Sequence, residues 1–184
     1  MNSWNKMDSH TQENGEFIFG EIDLALAQKL CRAGSDHRKF MRQIFVSVDI
    51  NAPLYWWKEF DTYKVGTTAN STSTMHKIHS KSFSPSDFSH DKLNPASMDQ
   101  LQGTIDFLEK LREQYNAGKD KETWYQIIQL LPSSYNQLRT CSMAYENLIG
   151  MYNARKAHKL DEWRAYCTWI QSLPYAEKLI CFDK

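Results

Sequence analysis

Apolar and polar residues alternate most cleanly over residues 43–50. Ile44, Val46, Val48 and Ile50 fall on one face, and Phe45, Ser47 and Asp49 on the other. That two-residue period predicts a strand with one face buried. Asn51 then reads as a cap and Pro53 as an early helical residue, so a helix is expected over 53–64. Leu54, Tyr55, Trp56, Trp57, Phe60 and Tyr63 go most of the way round it, which predicts burial on several sides. Upstream, residues 16–22 (EFIFGEI) are short, aromatic and β-prone. Asp23 reads as the cap of a helix through Leu24, Leu26, Leu30 and Cys31, with Gly34 placed to end it.

The second half reads as helices. Ser97 with Gln100 makes a capping box, followed by Met98, Leu101, Ile105, Leu108 and Tyr115 at helical spacing, and Gly118 stops the run. A shorter helix is expected over 120–131, ending at Pro132. The strongest stripe is Leu138, Cys141, Tyr145, Leu148 and Tyr152, which predicts one long helix. Leu160, Trp163, Cys167 and Ile170 give another, closed by Pro174. Between the halves lie a hydroxyl-rich stretch, residues 66–73 (GTTANSTS), and an irregular one, residues 79–97, with Pro85, Pro95 and a run of serines. A structureless connection of that length suggests a lid, a binding loop or a disordered segment. Two strands alone make only a marginal ribbon. The pattern therefore predicts an α+β protein, mainly helical, whose ribbon is covered by helices, by further strands or by a second subunit.

The chain has 184 residues, which suits one domain over residues 16–184, with residues 1–15 read as a disordered tail. That leader is polar and lacks the apolar core of a signal peptide. Lys and Arg number 22 and so do Asp and Glu, so no net basic field favours non-specific nucleic-acid binding. No long uncharged apolar run predicts a membrane span. Cys31, Cys141, Cys167 and Cys181 form no CxxC pair and read as reduced thiols of a cytoplasmic protein.

The densest polar cluster follows the aromatic helix: Thr62, Tyr63, Lys64, Thr67, Thr68, Asn70, Ser71, Thr72, Ser73, His76 and Lys77. Hydroxyls, backbone N–H groups and flanking cations can cradle a phosphate. The same residue types also build turns and N-caps. Arg155 continues the stripe that ends at Tyr152. A guanidinium there needs an anion: either Asp161 or Glu162 within the chain, or a phosphate or carboxylate of a ligand. His37, in GSDHRKF, suits anion binding or proton transfer, or a structural role. His76, His79 and His90 lack the carboxylate or cysteine pattern of a zinc site. There is no GxSxG, HExxH or Walker loop. Tyr55, Trp56 and Trp57 could stack on a flat ligand or fill the core.

The order of these parts resembles the flavin-dependent thymidylate synthase family. In that family a Gly-x-Ser-x-x-x-His element precedes a strand. The strand runs into a helix, and the helix ends in the signature RHRxxSxNExSxRY. Here Gly34, Ser35, Asp36 and His37 precede the strand, and the aromatic helix leads to Thr62-Tyr63-Lys64 and GTTANSTSTMH. Leu131-Pro132 and the run ending at Arg155 match a later Leu-Pro and a helix closed by an arginine. The segment Leu160-Asp161-Glu162-Trp163-Arg164 matches the helix start that comes next. The resemblance covers residues 23–173 and rests on order and spacing.

It implies an α+β fold, mainly helical with a small antiparallel sheet. It also implies a homo-oligomer, a tetramer, holding FAD and a pyrimidine nucleotide at subunit junctions. His37, Tyr63, Lys64 and Asn70 would face the flavin, and Ser71, Ser73, His76 and Arg155 the nucleotide. Family chemistry uses no protein nucleophile and depends on positioning and electrostatics. The departures concern charge. Lys64 alone stands for the signature's arginines, its acidic residue has no counterpart, and Ile127 and Ile128 stand where an arginine precedes the Leu-Pro. Each charge-assisted phosphate contact is worth ~1.5–3 kcal/mol. The sequence therefore implies a diverged flavin- or nucleotide-binding protein rather than an authentic thymidylate synthase. The alternative is a non-catalytic homo-oligomer that keeps only the fold.

Overall fold

The computed structural model describes residues 6–182. In chain order the elements are β1 (His10–Thr11), β2 (Phe17–Ile18), α1 (Glu21–Arg32), β3 (Phe45–Pro53), α2 (Leu54–Phe60), β4 (Thr67–Ser71) and α3 (Thr74–Lys77). There follow α4 (Pro95–Gly118), α5 (Lys121–Leu130), β5 (Asn136–Ala144), α6 (Tyr145–Arg155), α7 (Asp161–Ser172) and α8 (Ala176–Leu179). The architecture is α+β with small antiparallel sheets, as the sequence predicts. The chain divides into two units, one of residues 6–46, 65–67 and 142–182, the other of Ser47–Lys64 and Thr68–Cys141.

In the first unit, α1 begins two residues before Asp23, with Gly20 as its N-cap residue. Asp23 therefore sits in the first turn, and the capping work falls to Asp8. Its carboxylate accepts the N–H groups of Ile22 (2.9 Å) and Asp23 (3.0 Å). A carboxylate on those open donors also meets the positive end of the helix dipole. Ser9 Oγ accepts Gly20 N–H at 3.0 Å, and a Cβ at position 20 would run into Asp8. Residues 10–11 pair antiparallel with 17–18, so part of the stretch read as a tail is a short hairpin. Gly34 follows the cap residue Ala33 with φ +108°, the conformation glycine tolerates best after a helix. The core of this unit is Trp163, Leu148, Ile149, Met151 and Ile170, from α6 and α7.

In the second unit, the three-stranded sheet has the order β3-β5-β4, so β5 is central. β3 keeps the predicted alternation, with Phe45, Ser47 and Asp49 outward. It runs on through Asn51, which is strand rather than cap, and α2 is shorter than expected, ending at Phe60. Residues 136–144, predicted as the first half of a long helix, form the central strand. The physical reason is a second period hidden in the same residues. Gln137, Cys141 and Met143 are buried on one face while Leu138 is exposed. Residues 67–71 of the hydroxyl-rich stretch are a strand too, paired with β5, and the residues just after them are also bonded to β5. Leu138 C=O accepts Thr72 N–H (3.0 Å) and Thr72 Oγ1–H (3.1 Å), and Gln137 Nε2 donates to Thr74 Oγ1 (2.7 Å).

Helices α4 and α5 pack through Leu101, Ile105, Leu108 and Ile127. Asn94, not Ser97, caps α4, its Oδ1 accepting Ser97 N–H at 2.9 Å. Asp120 caps α5, accepting from Glu122 and Thr123. Residues 79–97 are not a loose lid. Phe83 and Phe88 enter this core, and Phe88 bridges to Tyr135.

Glu109 ties that stretch down, accepting Phe83 N–H (2.9 Å) and Arg112 Nε–H (2.8 Å). The Arg112 guanidinium holds the Glu109 carboxyl at about 2, against burial, which pulls the other way. A depressed carboxyl contributes stability above its ordinary value of 4.5 and loses it as the pH falls through about 2. Glu109→Gln is accordingly expected to lower Tm at neutral pH and to flatten the decline below pH 4.5. The difference from wild type should vanish near pH 2. Thermal unfolding across that range checks it.

Candidate functional site

The eight predicted site residues fall in both units. In the second unit, Tyr63 follows α2 and donates its N–H to Phe60 C=O at 2.9 Å, with its side chain half-buried. Lys64 beyond it is exposed. Asn70 and Ser71 sit on the edge strand β4, both exposed to solvent. Ser73 Oγ accepts His76 N–H at 3.2 Å and so caps α3, the turn that presents His76. The structure thus brings Ser73 and His76 together and sets Asn70 and Ser71 on the edge just before them. These groups are donors with no carboxylate among them, a set whose chemistry suits phosphate oxygens.

In the first unit, His37 is exposed on a turn after α1, its N–H bonded to Gly34 C=O at 3.0 Å. Arg155 closes α6, and its guanidinium carbon lies 4.7 Å from the centre of the Trp163 ring. Asp161, on the following helix, pairs with Arg164.

Sequence reasoning missed a multiply bonded charge of the second unit. Arg139 on β5 lies 4.2 Å over the Trp57 ring, pairs with Asp61 at 2.8 Å and donates to Gln137 Oε1 at 2.8 Å. The signal was the alternation Gln137, Arg139, Cys141, Met143, which a helical reading of the segment hides. Trp57 itself donates Nε1–H to Gln137 C=O at 3.0 Å, and Trp56, Trp57 and Phe60 pack on one another. These rings are core rather than a platform for a flat ligand.

A cavity of about 520 Å³ in the first unit is lined by Phe17, Phe19, Leu26, Leu30 and Phe40, and by none of the eight candidates. Cys31, Cys141 and Cys167 are buried and Cys181 half-buried, and burial pushes each thiol up to about 11. Such thiols are poor nucleophiles. Among the described residues no group of three His, Cys, Asp or Glu side chains could hold a metal ion. Among them, no helix is long and apolar enough to cross a membrane.

Two solved structures of Thymidylate Synthase X from Helicobacter pylori, each with FAD and dUMP, resemble the chain throughout. One superposes with a TM-score of 0.67 at 14% identity, over 98% of this chain and 90% of the other. The second gives 0.64 at 15% identity, over 88% and 82%. The chain therefore has the fold of flavin-dependent thymidylate synthases. No protein-family model matches the chain, and no curated protein sequence does.

Proposed function

We propose that this protein is a diverged relative of the flavin-dependent thymidylate synthases that binds a flavin, a pyrimidine nucleotide or both. It would act as a cytoplasmic homo-oligomer, a tetramer. The observation that carries the reading is the fold match over 98% of the chain to an enzyme crystallised with FAD and dUMP. The donor set supports it. In this reading Lys64, Asn70, Tyr63 and His37 hold the flavin. Ser71, Ser73, His76 and Arg155 hold the nucleotide, with Arg155 lying over the Trp163 ring. Bound flavin would supply hydride and one-carbon relay chemistry. The residues of this chain bind, orient and neutralise charge. The reduced cation count relative to the family signature argues against authentic dUMP methylation.

A second reading, a non-catalytic homo-oligomer, is favoured by one observation. Trp56, Trp57 and Phe60 fill their own core.

The visible absorption spectrum of the purified protein, with released cofactor identified after denaturation, separates the two. Bound flavin, or a rise in Tm with FAD or dUMP, is the expected result. A ligand at 100 times its Kd stabilises by ~2.7 kcal/mol. Arg155→Ala is expected to weaken dUMP about 10- to 150-fold, the equivalent of one charge-assisted contact. A colourless protein indifferent to both ligands would leave the non-catalytic reading.

A further inference from the structure

At the junction of α4 and α5 a second cavity, about 210 Å³, is lined by Met75, His76, His79, Tyr115, Lys119, Lys121 and Trp124. Four of these seven can carry positive charge and none can carry negative charge. Asp120 lies between the two lysines in sequence, but its carboxylate is turned onto α5, where it accepts from Thr123 N–H (2.8 Å) and Thr123 Oγ1–H (2.7 Å). The aromatic walls are fixed. Trp124 Nε1–H is bonded to Met75 C=O at 2.9 Å, and the His79 and Tyr115 rings meet edge to face at 4.8 Å.

Two further observations are independent of this lining. Nδ1 of His79 is buried and has no hydrogen-bond partner, an arrangement native proteins seldom leave unexplained. Lys119 has φ +53°, one of two non-glycine residues at positive φ among those described. It occupies the left-handed position that closes α4, its N–H bonded to Tyr115 C=O. Glycine is the residue that position favours, and a lysine there sacrifices stability. Its ammonium is held 5.1 Å from the Tyr115 ring centre and 3.0 Å from Asn116 Oδ1, at the cavity. Backbone strain retained at a cavity whose lining is rich in cations points to a ligand.

We propose that this cavity binds the phosphate group of a small phosphate ester, whose organic part lies against Tyr115 and Trp124. The volume is below the ~300–1,000 Å³ typical of a whole small-molecule site, so only the charged end is seated. Lys119 and Lys121 neutralise the phosphate from one side and His76 from α3. Burial and the nearby Lys119 and Lys77 ammonium groups keep the His79 imidazole below the ordinary histidine value, and an anion in the cavity reverses that balance. The proposal shares His76 with the nucleotide reading but otherwise stands on the second unit alone.

The test is titration of the isotopically labelled full chain with inorganic phosphate, with chloride as the control salt. The His76 and His79 imidazole resonances and the Trp124 indole N–H report binding. Saturable shifts at these three groups are expected. Lys119→Gly removes the ammonium and the strain together. It should leave Tm equal or higher while weakening phosphate about fivefold, and Lys121→Gln should weaken it similarly with Tm unchanged. Arg155→Ala should leave the shifts intact, so failure of the flavin reading and failure of this one are seen separately. Absence of saturable shifts, wild-type phosphate affinity retained in either lysine variant, or a Tm lost in Lys119→Gly would each overturn the proposal.

Discussion

Replacing Trp57 with alanine is expected to remove about 4 kcal/mol of stability, seen as a large drop in the urea midpoint. Truncating a buried Trp to Ala costs ~3–5 kcal/mol through lost burial and the cavity left behind. Trp57 belongs well inside that range, because four further interactions go with it. The Gln137 carbonyl loses its donor in a buried place, which itself costs ~1–3 kcal/mol. Trp56 and Phe60 each lose an aromatic neighbour. Arg139 loses the ring beneath its guanidinium and keeps only Asp61 and Gln137. Domains hold ~5–15 kcal/mol in total, so much of the reserve would vanish. Trp57→Phe keeps a ring and should lose less than half as much. Equal losses in the two variants would show that the hydrogen bond, not the packing, dominates.

The second large effect is expected at Trp163, which is fully buried in α7. Its ring meets Tyr166 edge to face at 5.8 Å and lies under the Arg155 guanidinium. Trp163→Ala should cost ~3–5 kcal/mol by the same cavity argument. It should also remove the ring beneath Arg155, so any nucleotide-induced rise in Tm should shrink along with the baseline. Trp163→Phe distinguishes the two consequences. It preserves most of the packing while shortening the platform, so Tm should fall modestly while nucleotide binding weakens. A Phe variant that binds as tightly as wild type would show that stacking does not position Arg155.

Much of the fold was legible because burial and periodicity agree over long stretches. Residues 43–50 alternate with little noise, and the stripe Trp163, Cys167, Ile170 is repeated in the burial of α7. Residues 136–144 were not legible, because two periods compete there. Leu138, Cys141 and Tyr145 fit a helix, whereas the strand's inner face carries Gln137 and Arg139, polar residues that hide its apolar character. Their burial makes sense only once Trp57 and Asp61 are beside them. Residues 67–71 were illegible for another reason. Thr, Asn and Ser serve turns, caps and edge strands alike, and only pairing with β5 decides among them. Among the candidate groups, the closeness of Ser73 and His76 was readable from their three-residue spacing. Lys119 and Lys121 were not, since their meeting with His79 depends on how α4 turns into α5.

The four cysteines give the molecule an unplanned set of clocks. A thiol near 11 exposes only about one thiolate in 10⁴ at pH 7, some hundredfold fewer than an ordinary cysteine. Three of them are also shielded from reagent, one each in α1, β5 and α7. An alkylating agent can therefore cap them only in moments when the surrounding element has opened. Capping rates at Cys31, Cys141 and Cys167 would thus time the opening of three separate parts of the chain, without any label being introduced.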